Sequence, residues 1–328
     1  MRKATLLRDL CGVCDRKTST VTAIESLMTL HERMFDDLAS RPSDPLLVEA
    51  KTIGASLPQK LRDMGRLGSP SAAVVHYVRA QLFITLVAEL EGLIADLMVL
   101  VIAAIPYKLR KPTLEAATLA ENATKAQLVG RLAEQDINNV MYGKPEDYRA
   151  RLEELLSLPK SDLEACWPIF IEIKARRDIA MHNDWAANET YMRKTGGSVR
   201  ANTVLYPTKD YFAAAIVCAR SLLAILRAGS SRTFVDCTKA TVFREMWEAA
   251  GLRHVDFSHA WTIQSCDMVR PVAGFSWAWS GSEKPLFDFF SAIYSGSPTT
   301  VDFAQIYARW SGPTLSVIDE WLSHPFHF

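Results

Sequence analysis

Glycine and proline are scarce in this chain, fifteen of each in 328 residues, which excludes collagen-like and low-complexity architectures. Cysteine is scarce too. Cys11, Cys14, Cys166, Cys218, Cys237 and Cys266 are too few and too scattered for a disulfide framework. Net charge is absent: 37 Lys and Arg balance 37 Asp and Glu. No overall field therefore drives the chain onto nucleic acid or an anionic membrane, although a small basic site remains compatible with neutrality. Long hydrophobic runs are also missing. The longest apolar tract, Gly92 to Tyr107, contains Asp96 and falls short of the roughly 20 residues that span a bilayer. The opening segment, MRKATLLRDLCGVCDRK, lacks the apolar stretch of a signal peptide. The expectation is a cytoplasmic protein without a membrane partner, in which the Asn-x-Thr triplets at Asn122 and Asn188 are chance matches. No P-loop, Gly-rich dinucleotide loop or Gly-x-Ser-x-Gly elbow occurs. Cys11 and Cys14 have zinc or redox spacing but no second pair nearby, so neither a metal nor a cofactor is expected.

What is present is 49% hydrophobic and 23% charged, enough to bury a substantial core. Three regions follow one another. Residues 1–68 read as a helical N-terminal region. Thr22 with Glu25 fits a capping box, and Ile24, Leu27, Leu30 and Met34 follow as an apolar stripe. Asp44-Pro45 is a second helix start, and Gly65 to Pro70 reads as a break.

Residues 69–229 read as an up-down helical bundle. Ser69-Pro70 opens a long helix whose Leu82, Leu86, Leu90, Leu93, Leu97, Leu100 and Ala104 recur in steps of four and three, and Pro106 ends it. Helices are expected over about 113–138 and 145–158. Ser161 with Glu164 suggests another capping box, and Pro168 marks either a kink or a first turn. The last helix spans about 208–228, with Phe212, Ile216, Ala219, Leu223 and Leu226 inward and Gly229 at the C-terminal cap position. Residues 230–328 hold six of the eight Trp and read as an aromatic-rich, mostly helical region whose rings form a core. The fold class is all-α.

The segment Ala175 to Asn183, ARRDIAMHN, concentrates the chemistry. Asp178 and His182 are four apart and share a helix face, so the carboxylate can orient and charge the imidazole. Arg177 supplies a permanent cation able to hold a phosphate with two donors. Residues five apart on a helix point roughly 140° from one another. Arg177 and His182 therefore meet only if the helix ends near His182 or if two copies of it face each other. Lys174, Arg176, Arg193 and Lys194 make the neighbourhood basic, which suits RNA phosphates and equally a solvated face. Asn183 reads as a support for the site or a helix terminator. Tyr191 reads as loop packing or a base-stacking ring.

Arg177, Asp178, three further residues and His182, on the penultimate long helix of a bundle, resemble the signature of the HEPN superfamily. The wider string RRDIAMHNDWAANETYMRK looks like its defence-associated branches. The resemblance covers about residues 70–229 and leaves both flanks without an assignment. It implies a metal-independent endoribonuclease of four or five helices, paired as a homodimer through the motif helix. Arg177 and His182 would be catalytic, with Asp178 supporting them. His182 would act on the ribose 2′-hydroxyl or the leaving oxygen and Arg177 on the phosphorane-like transition state, giving a 2′,3′-cyclic phosphate and a 5′-hydroxyl. It also implies an RNA substrate and a partner protein from an antiviral-defence or toxin–antitoxin system. Position 184 is Asp where one toxin branch carries a modified Tyr, so that regulation is not carried over. The alternative is a non-catalytic helical module for dimerisation, partner binding or nucleotide binding. From Lys174 to Arg200 six basic residues face three acidic ones, while from Ser231 onward there are seven basic and ten acidic. Overall neutrality thus conceals a local positive balance beside the motif.

Overall fold

An apolar helix with few breakers needs neighbours on several sides, and the long helix that begins at Pro70 has them. The computed structural model describes residues 2–41, 43–56, 70–110, 125–197, 199–250, 255–266, 268–273, 283–296, 301–310, 312–323 and 325–327. In chain order the helices are α1 (Leu6–Ala39), α2 (Pro45–Ser56), α3 (Pro70–Ala104), α4 (Lys125–Met141), α5 (Pro145–Leu156), α6 (Lys160–Glu164), α7 (Trp167–His182), α8 (Glu189–Thr195), α9 (Lys209–Thr233), α10 (Lys239–Ala249) and α11 (Phe257–Ala260). A two-stranded antiparallel hairpin follows, β1 (Trp261–Ser265) and β2 (Met268–Pro271), and then α12 (Lys284–Ser295), α13 (Phe303–Arg309) and α14 (Pro313–Ser323). The chain is mostly helical, as expected, with one small hairpin that the all-α reading does not include. Its register pairs Thr262 with Arg270 and Ile263 with Val269, and Thr262, Ile263 and Val269 are β-branched residues suited to a pleated surface.

The chain divides into two compact units. One comprises residues 12–99 and 134–229, the other residues 1–11, 100–133 and 230–328. In the first, α3 is the central helix: Leu86, Leu90, Leu93 and Leu97 are at most 1% exposed. Helix α9 buries Phe212, Ile216, Ala219, Leu223 and Leu226 as its sequence period requires. It is long and apolar enough to cross a membrane, yet this face is packed and Arg220 and Arg227 pair with Glu25 and Asp15 of α1. Arg151 of α5 is fully buried between Asp136 and Glu154, which fixes α5 against α4. Tyr148 joins that contact, its ring 5.2 Å from Trp167 at the start of α7. Pro168 does lie in the first turn of α7, where its missing N–H costs nothing.

Several local expectations give way. Helix α1 runs unbroken through Thr22, so no capping box forms there. Val21, Ile24, Met28 and Leu38 are its inward residues, whereas Leu27, Leu30 and Met34 are exposed. Ser161 lies within α6, capped by neither its own nor a neighbouring side chain. Asp44 does cap α2, its Oδ1 accepting from the Leu46 amide at 2.9 Å. Helix α9 continues through Gly229 to Thr233. The glycine is there for space: a Cβ would lie 2.1 Å from Leu158 Cδ2. Residues 65–69 of the expected break, the helix start near 113, and Trp277 and Trp279 lie outside the described residues, while Pro70 opens α3.

The second unit has an aromatic core. Phe243, Trp247, Phe289 and Phe290 are each at most 1% exposed, and Ala4 and Trp261 join them. Phe243 meets Trp261 and Phe290 at ring-centroid distances of 5.1 and 5.4 Å, both nearly perpendicular, the edge-to-face geometry that the ring quadrupole favours. Trp247 Nε1 donates to the Val255 carbonyl at 3.0 Å and Thr314 Oγ1 to that of Ala250 at 3.0 Å. These rings are core, as expected from the sequence.

Two stability predictions follow from the first unit. Gly229→Ala gains about 1 kcal/mol of helix propensity but overpacks Leu158 at a cost of about 1–3 kcal/mol, so it lowers the denaturation midpoint. In a Leu158→Ala background the same change raises the midpoint, and a double-mutant cycle in urea reads the reversal of sign. The second concerns Arg79, which pairs with Glu32 at 2.7 Å and has His76 Nδ1 3.2 Å away. Burial first, and the Arg79 charge second, hold His31 and His76 below their ordinary pKa, with Glu32 opposing at His31. A depressed folded-state pKa means that folding releases protons, so this stability is present above about pH 6.5 and lost as pH falls. Urea titrations between pH 7 and 5 should show that loss, and the His31→Phe, His76→Phe double variant should flatten it.

Candidate functional site

Helix α7 carries the motif and places its two faces in different surroundings. Lys174, Arg177, Asp178, Met181 and His182 all line one cleft of about 810 Å³, together with residues of α3, α4 and α8. Their spacing of three, four, seven and eight residues defines one broad helical stripe. Arg177 and His182 are the two edges of that stripe, roughly 140° apart, and the cleft is wide enough to reach both. The helix ends at His182, which frees the imidazole from a following turn.

The end of α7 is built by its neighbours. Ile179 O accepts from the amides of Asn183 at 2.9 Å and Trp185 at 3.0 Å. Asn183 Nδ2 donates to the Ala186 carbonyl at 2.6 Å, so Asn183 serves as the terminator of the helix and ties down the turn. Asp184 and Trp185 have φ of 47° and 66°, a left-handed conformation costing non-glycine residues about 1–3 kcal/mol each. The Trp185 ring is buried at 5.2 Å from Tyr206 and 6.0 Å from Phe83, and that packing holds the turn. A bridge between Ala186 and Val204 fastens it further. His182 therefore stands at the rim of a rigid corner. The Asn188 side chain then caps α8 by accepting from the Tyr191 amide.

The electrostatics centre on Glu91 of α3. It is only 8% exposed, and its carboxylate is ion-paired with both Lys174 and Arg177. Burial pulls the Lys174 ammonium below its ordinary pKa, against the pull of Asp178 and Tyr142. Asp178 pairs with Lys194 at 3.2 Å and with Arg177 at 3.4 Å. Its carboxylate is thus engaged by cations, and no hydrogen bond between Asp178 and His182 occurs among the described residues. His182 is exposed. Arg177 Nε is buried without a hydrogen-bond partner. Lys174, Arg177 and Lys194 face two carboxylates, Glu91 and Asp178, in the lining, a formal excess of one positive charge while Lys174 is protonated, and of these only the Arg177 guanidinium is permanently charged. A partly buried site with unbalanced positive charge favours an anion, and a phosphate satisfies both the charge and the spare guanidinium donor.

The opposite face of α7 has another role. Arg176 pairs with Glu172 at 2.7 Å and stacks over the Tyr211 ring at 3.6 Å. Glu172 also accepts from the hydroxyls of Tyr191, at 2.6 Å, and Tyr211. Burial, then the Glu172 hydrogen bond, pushes the Tyr191 phenol up to about 12. Burial pushes Tyr211 up as well, with Glu172 adding to it. Arg176 is therefore a brace between α7, α8 and α9, away from the cleft lining. Tyr191 is 2% exposed and packs. Arg193 is exposed and is not among the cleft's lining residues.

Sequence reasoning missed Glu91, Glu172 and Tyr142. The first had a signal: a carboxylate between Leu90 and Leu93 in a helix apolar nearly all round must be either paired or functional. Tyr142 lines the cleft and is 88% exposed. No disulfide joins the cysteines, and no cluster of metal-ligating side chains occurs among the described residues.

Removing Glu91 leaves two partly buried cations facing each other. Glu91→Ala should cost about 3–5 kcal/mol of stability, read as a lowered thermal midpoint. Added inorganic phosphate should restore more of that midpoint in the variant than it adds to the wild type, because it enters the vacated seat.

Comparison of the chain with protein-family models, with curated proteins and with solved structures finds no match.

Proposed function

We propose that the cleft at the end of α7 is the active site of a HEPN-like, metal-independent endoribonuclease. The observation that carries this reading is the convergence of Arg177 and exposed His182 on one cleft whose lining has an excess of positive charge. The chemistry divides between them. His182 takes the proton of the ribose 2′-hydroxyl or gives one to the departing 5′-oxygen. Arg177 and Lys174 stabilise the charge that develops on the phosphorane-like transition state. Lys194 holds Asp178 and adds to the field that draws the phosphate in. The attacking nucleophile belongs to the substrate, so DNA is not cut. The products are a 2′,3′-cyclic phosphate and a 5′-hydroxyl. The sequence resemblance adds a homodimer formed through α7, an antiviral-defence or toxin-like role and a controlling partner protein.

A second reading has one specific observation in its favour. Arg177 is already paired with Glu91 and Asp178, which suits a site that binds a nucleotide or nucleic-acid phosphate without cleaving it. The non-catalytic helical module is its broader form.

Incubation of wild type and His182→Ala with total RNA separates the two readings. The nuclease reading expects cleavage with 2′,3′-cyclic phosphate ends, a loss of about 10²–10⁴-fold in His182→Ala and of about 10²–10³-fold in Arg177→Ala. Cleavage that survives intact in His182→Ala sinks the catalytic assignment. Saturable RNA binding without products from the wild type points to the second reading.

A further inference from the structure

Among the residues that line the cleft, Tyr142 has no part in the charge pattern or the proposed chemistry. Tyr142, at the end of α4, is 88% exposed although it lines the same cleft as Arg177, His182 and Lys194. Leaving an aromatic ring in water forgoes roughly 1.5–3 kcal/mol of burial. Exposure alone is not diagnostic, since Tyr107 is 86% exposed with no place in this cleft. Position distinguishes Tyr142. Its phenol is close enough to act electrostatically on Lys174, so the ring stands beside the cations that would receive a phosphate. Asn138, Asn188 and Thr190, each with a polar side chain, line the same cleft. Asn188 uses its side-chain oxygen to cap α8, which leaves its amide group available as a donor.

A phosphate seat, an open aromatic face and nearby amide groups are the parts of a site for one nucleotide unit. A ring is sequence-tolerant because every base has a π-face, and amide groups can meet a base edge. A base inside a duplex has both faces covered by its neighbours and can offer none to a tyrosine.

We propose that Tyr142 is the base-stacking residue of this cleft, and that the substrate enters as single-stranded RNA with one base unstacked onto that ring. This rests on the nuclease reading for the identity of the nucleic acid. Tyr142 is then a specificity-determining residue that acts on binding, while His182 and Arg177 act on the reacting atoms.

The test uses the full chain carrying His182→Ala, so that substrate survives, with a fluorescent single-stranded oligoribonucleotide of mixed sequence and a duplex of the same sequence. Anisotropy titration should show tighter binding of the single strand. Adding Tyr142→Ala should weaken that binding about tenfold, within the range of a single base stack, and Tyr142→Phe should retain it because the ring face is unchanged. In otherwise wild-type protein, Tyr142→Ala should raise KM and leave kcat nearly unchanged. Equal binding by Tyr142→Ala and the parent, or equal affinity for duplex and single strand, overturns the stacking assignment. Cleavage that still depends on His182 would in that case leave the nuclease reading standing. Failure of the protein to bind RNA in any form overturns both.

Discussion

Two cations of α7 share one carboxylate of α3, and the arrangement of the cleft depends on it. A carboxylate as buried as Glu91 is tolerable only when paired. Lys174 and Arg177 supply the pairing from successive turns of one face. The contact fixes the rotation of α7 about its own axis. That rotation in turn aims Asp178, Met181 and His182 into the same space and sends Glu172 and Arg176 to the opposite side. There a second carboxylate is held by Arg176, Tyr191 and Tyr211. Helix α7 is thus held on both faces by acid–base clusters shared with α3, α8 and α9.

The same contact sets the electrostatic character of the site. Glu91 alone cannot neutralise both of its partners, and Asp178 is divided between Arg177 and Lys194. The residual charge is small, which reconciles an anion-receptive cleft with a chain of zero net charge. If the proposed reading holds, a phosphate is held there by a few directed donors, and its affinity should depend on salt only as steeply as those few contacts require.

How much of this was legible in the sequence depended on whether a signal was local. The middle of the α3 stripe, Leu86 to Leu97, the inward face of α9 and the Asp44-Pro45 start follow from period and backbone chemistry over a few residues and hold, as does the first-turn alternative of the two read for Pro168. Termination of α7 at His182 was also readable, since Asn183 and Asp184 tolerate the conformations that a helix end needs. Long-range packing was not. The Thr22 and Glu25 pair looks like a cap, yet α1 runs straight through it because the helix is supported along its length by α3 and α9. Gly229 looks like a terminator, and only the position of Leu158, seventy-one residues earlier, shows that it clears space. The pairing of Glu91 with a helix some eighty residues away left a trace in the sequence, a lone acid in an apolar face, but nothing that named its partners. The hairpin was missed because its β-branched residues are few and interrupted by a bulge.

The two compact units are interleaved along the chain, and this bears on the order in which they can form during synthesis. The unit that holds the cleft is complete once residue 229 has been made. The other unit begins with the first eleven residues but takes most of its core from residues 230–328, where Ala4 and the turn at Arg2–Thr5 find Phe243 and Trp247. Ala4 therefore finds its aromatic core partners only in the last third of the chain. A ribosome-bound intermediate would carry a finished cleft and an unfinished aromatic core, with the exposed rings open to chaperones. Closing that core joins the two ends of the chain across the whole sequence, a slow long-range step.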